Sequence, residues 1–372
     1  MNGPITFRLF NNNPMFISQW ALRYPARKSH VRRQRAIPPS VPFPCEDAVS
    51  WGRSPERPTS VHRLRPGDID VVAALGDSLV AGSGALEEFA LGAFVEYRGV
   101  SWCAGGDLSW REFLTLPNIL KVFNPNLRGY STGTGEWLTK NAKFNVAFPV
   151  ASDEDALKQA KVYIGQRQRQ MVTVFIGAND LCSASCLNPV SWSPAAHAKK
   201  LSIALDYLQN NLPRTIVNLV PVLDVSVSIR VLRPVMCRLI NLRRTYMLTC
   251  IVPPFQVESG RYDTKEDFTV VIQPFMRLFN APEPPTQPLP LVIHQSYITH
   301  DCFHFSQKGH ALAANLLWNN LLEPVGNKSD NVPPVLLKTF RCPSRRAPYI
   351  FTSRNSRTYL LTGRQDADDD PL

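Results

Sequence analysis

Four polar residues in this chain have the types and placement that acyl transfer requires. Ser78 follows an apolar run, residues 69–75, that breaks on Gly76. A run of small and β-branched residues reads as a buried strand. Open α/β sheets put their sites at the carboxyl ends of such strands. A serine there can keep its hydroxyl free while its own N–H faces the same space. Asp301 stands three residues ahead of His304. One turn brings that carboxylate to the imidazole Nδ1–H and leaves Nε2 free to take a proton. A serine hydroxyl needs such a base, because it is a weak nucleophile at neutral pH. Asn179 follows a second apolar run, residues 172–176. Its amide N–H₂ suits the negative oxygen that forms when serine attacks an ester carbonyl. Singly, each has a plain explanation. Gly-Asp-Ser and Asn-Asp are common turn sequences, and Asp-x-x-His also occurs as a helix cap beside a surface histidine. All three in one chain, each at a strand end or helix start, point to a serine esterase.

The elements that must position these residues alternate. Strands are predicted over 69–75, 144–148, 171–177, 216–223 and 268–272. Between them lie a short apolar helical face over 85–94, a helix over 116–123 and a helix over 153–164 entered through Ser152 as N-cap. Ser193-Pro194 opens the next helix, with Leu201, Ala204, Leu205 and Leu208 at helical spacing. The last clear helix covers 306–322, with Leu312, Leu316 and Leu317 inward. Residues 282–290 hold five prolines and read as loop. Strands alternating with helices imply an α/β fold with a mostly parallel sheet covered on both faces. Residues 1–57 read as a flexible basic leader, 58–326 as the domain, and 327–372 as a C-terminal tail.

At 372 residues and 44% hydrophobic content the chain can build a substantial core. Its formal charge is +11, but residues 1–36 hold seven Lys/Arg and no acid, which leaves +4 for the rest. The basic stretch 23–35 could be a nuclear signal or a nucleic-acid arm. No stacking aromatics or reader motif accompany it, so no nucleic-acid partner is expected. Residues 16–22 are too short and interrupted for a clear signal peptide. No run reaches the ~18 apolar residues of a membrane helix. Of the eight cysteines, Cys182 and Cys186 are spaced for a local bridge, and the count favours an oxidising compartment. Neither a second close pair nor histidines at ligand spacing complete a zinc signature. No metal is expected.

The motifs Pro58-Thr59-Ser60-Val61-His62-Arg63-Leu64-Arg65-Pro66, Leu75-Gly76-Asp77-Ser78-Leu79, Tyr97-Arg98-Gly99-Val100-Ser101-Trp102, Phe175-Ile176-Gly177-Ala178-Asn179-Asp180-Leu181-Cys182, Gly260-Arg261-Tyr262-Asp263 and Asp301-Cys302-Phe303-His304-Phe305 resemble those of the GDSL or SGNH hydrolases. Within that superfamily they are similar to the membrane-associated phospholipase B branch. The resemblance runs from about Pro58 to Gly326. It implies a three-layer α/β/α, flavodoxin-like fold. It implies Ser78 as nucleophile, His304 as base and Asp301 as its orienter, with an oxyanion hole from the Ser78 N–H, Asn179 and a glycine N–H. Val150 stands at that glycine's position. The stretches 163–170 and 237–260 look shorter than in the family. The resemblance further implies lipid ester substrates such as phospholipids and lysophospholipids, no cofactor, work at a membrane or micelle surface, and a secreted or membrane-associated setting. The alternative expectation, favoured by Val150, is a catalytically impaired or dead relative that binds lipid or a partner.

Overall fold

The computed structural model describes residues 31–88, 90–164, 170–181, 193–223, 260–280, 295–301, 303–330, 336–337 and 339–366. Among them are four parallel strands, β1 (Val71–Gly76), β2 (Gln170–Phe175), β3 (Thr215–Leu219) and β4 (Phe268–Ile272), in the spatial order β1-β2-β3-β4. Every residue of β1 and β2 is buried. A strand covered on both faces is apolar along most of its length, which is why these two read as nearly continuous runs, with Gln170 and Thr173 the polar exceptions in β2. Gly76 pairs opposite Phe175. The two strands therefore end level, and the residues that follow them emerge along one edge.

The helices used below are α1 (Ser78–Ala81), α2 (Leu116–Phe123), α3 (Ala156–Tyr163), α4 (Pro194–Asn211), α5 (Gln307–Leu321) and α6 (Ser353–Thr362). Side chains alternate between the faces of a strand, and β1 divides accordingly. Val72 and Ala74 pack with α1, α2 and α5 through Leu79, Ile119, Leu120, Leu312 and Leu317. Ala73 and Leu75 pack with α3 and α4 through Ala160, Leu201, Leu205 and Leu208. The result is the three-layer α/β/α arrangement. Caps start the helices where the sequence places them: the Ser193 and Ser306 side chains accept the N–H groups of Ala196 and Gly309.

Three expectations change. Residues 144–148 do not form a regular strand. They run along the free edge of β1, with a single parallel bridge between Ala74 and Asn145. Residues 144, 146 and 148 bond to β1: the Ala74 N–H donates to Phe144 O, and the Val146 and Phe148 N–H groups donate to Ala74 O and Gly76 O. The outward carbonyls of Asn145 and Ala147 meet an arginine side chain, Arg98, rather than another strand.

The described part of the expected leader, from Val31 to residue 57, is packed rather than free. Phe43 meets the rings of Trp110, Phe123 and Phe340, with centroids 5.2, 5.8 and 5.5 Å away. The expected tail is packed too. Ile350 is fully buried, its N–H donates to Leu64 O, and α6 follows. A disulfide between Cys45 and Cys342 joins the two ends across 297 residues. Closing so long a loop places it near the upper end of the roughly 2–5 kcal/mol that disulfides contribute. The Cys182–Cys186 pairing lies outside the described residues.

Candidate active site

The strand-to-helix turn after β1 carries Ser78. Asp77 is the N-cap of α1, its Oδ1 accepting the Leu79 N–H at 2.9 Å. Burial pushes the Asp77 carboxyl up to about 7, against the pull of the Leu79 N–H and of His304. The end of β1 is fixed from α3. Gln159 accepts the Gly76 N–H through Oε1 at 2.7 Å and donates from Nε2 to Gly76 O at 2.8 Å. An apolar helix position filled by a buried glutamine thus completes the backbone pairing one residue before the turn.

The Asp301–His304 loop folds back on itself ahead of α5. The Thr299 N–H donates to His304 O at 2.9 Å and the Ser306 N–H to Tyr297 O at 3.1 Å. Within it, Asp301 Oδ2 accepts from His304 Nδ1. Asp301 Oδ1 accepts from the Thr299 hydroxyl and from the N–H groups of Phe303 and His304, the latter two at 2.9 and 3.1 Å. Burial works against the Asp301 charge. His304, Thr299 and the Phe303 N–H outweigh it and hold the carboxyl far below the ordinary carboxylate range. A carboxylate on Nδ1–H leaves the Nε2 lone pair outward, and Ser78 Oγ lies 2.8 Å from it. The basic stretch read from the sequence meets this loop: Arg32 Nε donates to Ile298 O at 2.9 Å, and its Nη1 lies 2.8 Å from His300 Nε2.

Asn179 and Val150 sit on adjoining turns. Asn179 Nδ2 donates to Ala151 O at 2.9 Å, which uses one of its two N–H bonds and leaves the other for a ligand. The Ala151 N–H closes a turn on Phe148 O at 3.2 Å, with Pro149 and Val150 between them. Val150 has φ +61° and is 60% exposed. Proline second and a positive φ third is the pattern of a type II turn, whose third residue is ordinarily glycine. For a β-branched residue that conformation is an outlier and costs roughly 1–3 kcal/mol. Gly177, with φ +127°, does meet such a demand: a Cβ there would lie 2.6 Å from His197 Cε1.

Beside Asn179, Asp180 accepts the Asp153 N–H at 3.2 and 3.0 Å. Burial and the nearby Asp153 charge push it up to about 7. Asp153 in turn receives His197 Nδ1 at 3.1 Å and Lys200 Nζ at 2.8 Å. Donor atoms of Asp153, Asp180 and His197 lie close enough together to hold a cation, and the Lys200 ammonium already places a positive charge there. The cluster ties the Asn179 turn to α4.

A family model for GDSL-like Lipase/Acylhydrolase matches residues 72–317, which takes in all of β1 but its first residue, the Ser78 turn and the Asp301–His304 loop. This chain belongs to the GDSL-like lipase/acylhydrolase family. It is 40% identical over 334 residues to "Phospholipase B1, membrane-associated" of Homo sapiens, covering 80% of this chain and 22% of that protein. The proteins of the same name from Mus musculus and Rattus norvegicus are 36% and 39% identical, covering 90% and 80% of this chain and 24% and 23% of theirs. The chain thus spans about a quarter of the length of the curated relatives it matches.

In this GDSL-like acylhydrolase the Tyr97–Trp102 motif, which sequence reasoning could name only by resemblance, has a physical account. Three of its side chains donate to carbonyls behind the site. Ser101 Oγ reaches Val80 O at 2.6 Å, Trp102 Nε1 reaches Leu79 O at 3.1 Å, and Arg98 reaches Asn145 O and Ala147 O at 3.0 and 2.7 Å. Glu96, beside Arg98, and Gln159 are further positioning groups that carried no signal in the sequence: each stands near other polar residues, Glu96 near Arg98 and Gln159 beside Lys158, and reads as a surface position.

Proposed function

We propose that the chain is a serine carboxylic ester hydrolase of phospholipase B type, with Ser78 as nucleophile, His304 as general base and acid, and Asp301 as orienter. The observation that carries this is the continuous contact from Asp301 through His304 to Ser78, with Nε2 and Oγ 2.8 Å apart. His304 Nε2 takes the hydroxyl proton as Ser78 Oγ bonds to the acyl carbon. The negative oxygen is received by the N–H groups of Ser78 and Val150 and by the free Asn179 N–H. Collapse breaks the ester C–O bond, and the departing alcohol takes the proton from His304. A water then gives a proton to Nε2 and attacks the acyl carbon, which releases the fatty acid and restores Ser78.

Lipid esters, phospholipids and lysophospholipids among them, are the proposed substrates, drawn from the relatives' name and from the family. A membrane or micelle surface is the proposed place of work. The Cys45–Cys342 disulfide supports a secreted or membrane-associated setting, since such bonds persist in oxidising compartments. Among the described residues no helix is long and apolar enough to cross a membrane. The test is hydrolysis of p-nitrophenyl butyrate and of lysophosphatidylcholine micelles by the purified chain. Both activities should be present and both lost in Ser78→Ala; a variant as active as wild type overturns the assignment.

One observation favours a second reading, an impaired relative that mainly binds lipid: Val150 in a backbone conformation suited to glycine. Its side chain adds bulk beside the scissile carbonyl while its N–H survives. Lipid binding without turnover would support this reading.

A further inference from the structure

Arg98 is completely buried and touches none of the reacting groups. Its Nε donates to Gly135 O at 2.6 Å, Nη1 to Asn145 O at 3.0 Å, and Nη2 both to Ala147 O at 2.7 Å and to the Glu96 carboxylate. We propose that Arg98 is a positioning residue for the oxyanion-binding turn, holding residues 145–147 so that the Val150 N–H faces the Ser78 hydroxyl. This rests on the reading of Ser78 as nucleophile and of Val150 as an oxyanion donor.

The edge geometry carries the argument. Residues 144, 146 and 148 bond inward to β1, so the carbonyls of Asn145 and Ala147 point away from the sheet. Buried acceptors without donors are costly, and among the described residues no further strand pairs on that side to supply them. A guanidinium presents five donors in a fixed plane and here serves four acceptors around it, Gly135 O, Asn145 O, Ala147 O and the Glu96 carboxylate; an ammonium has three donors on a single atom and cannot span that set. Pro149 and Val150 follow two and three residues after Ala147. On the far side of the turn, Ala151 O is held by Asn179 Nδ2. The turn is thus gripped at both ends, by Arg98 before it and Asn179 after it. A buried ion pair is a poor way to stabilise a core, since well-packed apolar residues often serve as well or better. Its use here matches a need for aimed donors.

Two variants test this. Arg98→Lys keeps a charge beside Glu96 but loses the fork. Glu96→Gln/Arg98→Met removes both charges, so no carboxylate is left bare. Both are assayed at 10 °C with wild type and Ser78→Ala, normalised to the folded fraction from near-ultraviolet circular dichroism. Misplacing one group by about an ångström can cost ~10²-fold, so kcat should fall roughly 10- to 100-fold with KM little changed. A trifluoromethyl ketone inhibitor, whose tetrahedral oxygen needs the same donors, should weaken by the same factor as kcat/KM. Three results overturn the proposal: unchanged kcat per folded molecule, a fall in kcat with inhibitor affinity unmoved, or failure of both variants to fold at 10 °C, which would make Arg98 a folding residue. If Ser78→Ala keeps wild-type activity, the underlying reading fails instead, whatever Arg98 does, and the proposal falls with it.

Discussion

The two halves of the candidate site are built in opposite ways. The acid–base half is local. Thr299, Asp301, Phe303 and His304 orient one another within six residues, and a distant brace, Arg32, meets the loop at Ile298 and His300 rather than at the imidazole. The oxyanion half is dispersed. The Val150 turn depends on Arg98 and Asn179, and Asn179 is next to Asp180, which Asp153, His197 and Lys200 tie to α4. A local device survives change elsewhere in the chain. A dispersed one can be weakened at many points, and at Val150 it shows a residue poorly suited to its backbone.

The comparison is broken most directly by cutting each half once. Asp301→Asn leaves His304 with the wrong tautomer and should lower kcat by ~10⁴-fold. Asn179→Ala removes one proposed oxyanion contact and should cost ~10²–10³-fold. Steady-state kinetics on p-nitrophenyl butyrate checks both. If Asn179→Ala is harmless while Asp301→Asn is not, the oxyanion half is misassigned.

Val150→Gly sharpens the comparison from the other side. It relieves a backbone cost of roughly 1–3 kcal/mol and adds an unfolded-state cost of about 0.4–1 kcal/mol. The net should be a melting temperature about 1 °C higher per kcal/mol gained, since unfolding entropy grows with chain length, together with faster turnover. Thermal melts and the same ester assay decide it. An unchanged or lower rate would show that Val150 already presents its N–H well.

A pH effect on stability is expected at Asp77, on the turn that carries Ser78. Its carboxyl is raised to about 7 in the fold from an ordinary value near 3.8. The folded chain then binds more protons than the unfolded chain between those values, so stability falls as pH rises through that window. The stabilising contribution is complete below about 3.8 and lost above about 7. Asp77→Asn cannot titrate. The melting temperature of wild type relative to this variant should therefore decline from pH 4 to pH 8. A difference that stays flat over that range contradicts the raised value.

Much of the fold was legible because its signals are local. The apolar runs of β1, β2 and β4, the serine caps of α4 and α5, and the Asp-x-x-His spacing each fit in a short window. Residues 144–148 read as a strand because their apolar content is that of one, but only three of their backbone groups bond to β1 and Arg98 takes two of the other carbonyls. The leader and tail lacked periodicity and so read as loose. What packs them includes one aromatic group, with Phe43 and Phe340 gathered near Trp318 and Phe123, a disulfide, and backbone pairing of Ile350 with Leu64. Contacts between residues some 300 positions apart leave no mark in any window of sequence. The same is true of Arg98 and Gln159, whose partners are mostly backbone groups that carry no mark of residue type.

The account's central claim is that His304 and Asp301 make Ser78 a nucleophile, and covalent labelling tests it most directly. A fluorophosphonate reacts with activated serines, and its site is read by mass spectrometry of the digested protein. Wild type should carry one adduct, on the peptide containing Ser78, and labelling should be lost in Ser78→Ala and fall sharply in His304→Ala. A wild-type chain that stays unlabelled at Ser78, or a His304→Ala variant labelled as fast as wild type, would contradict it.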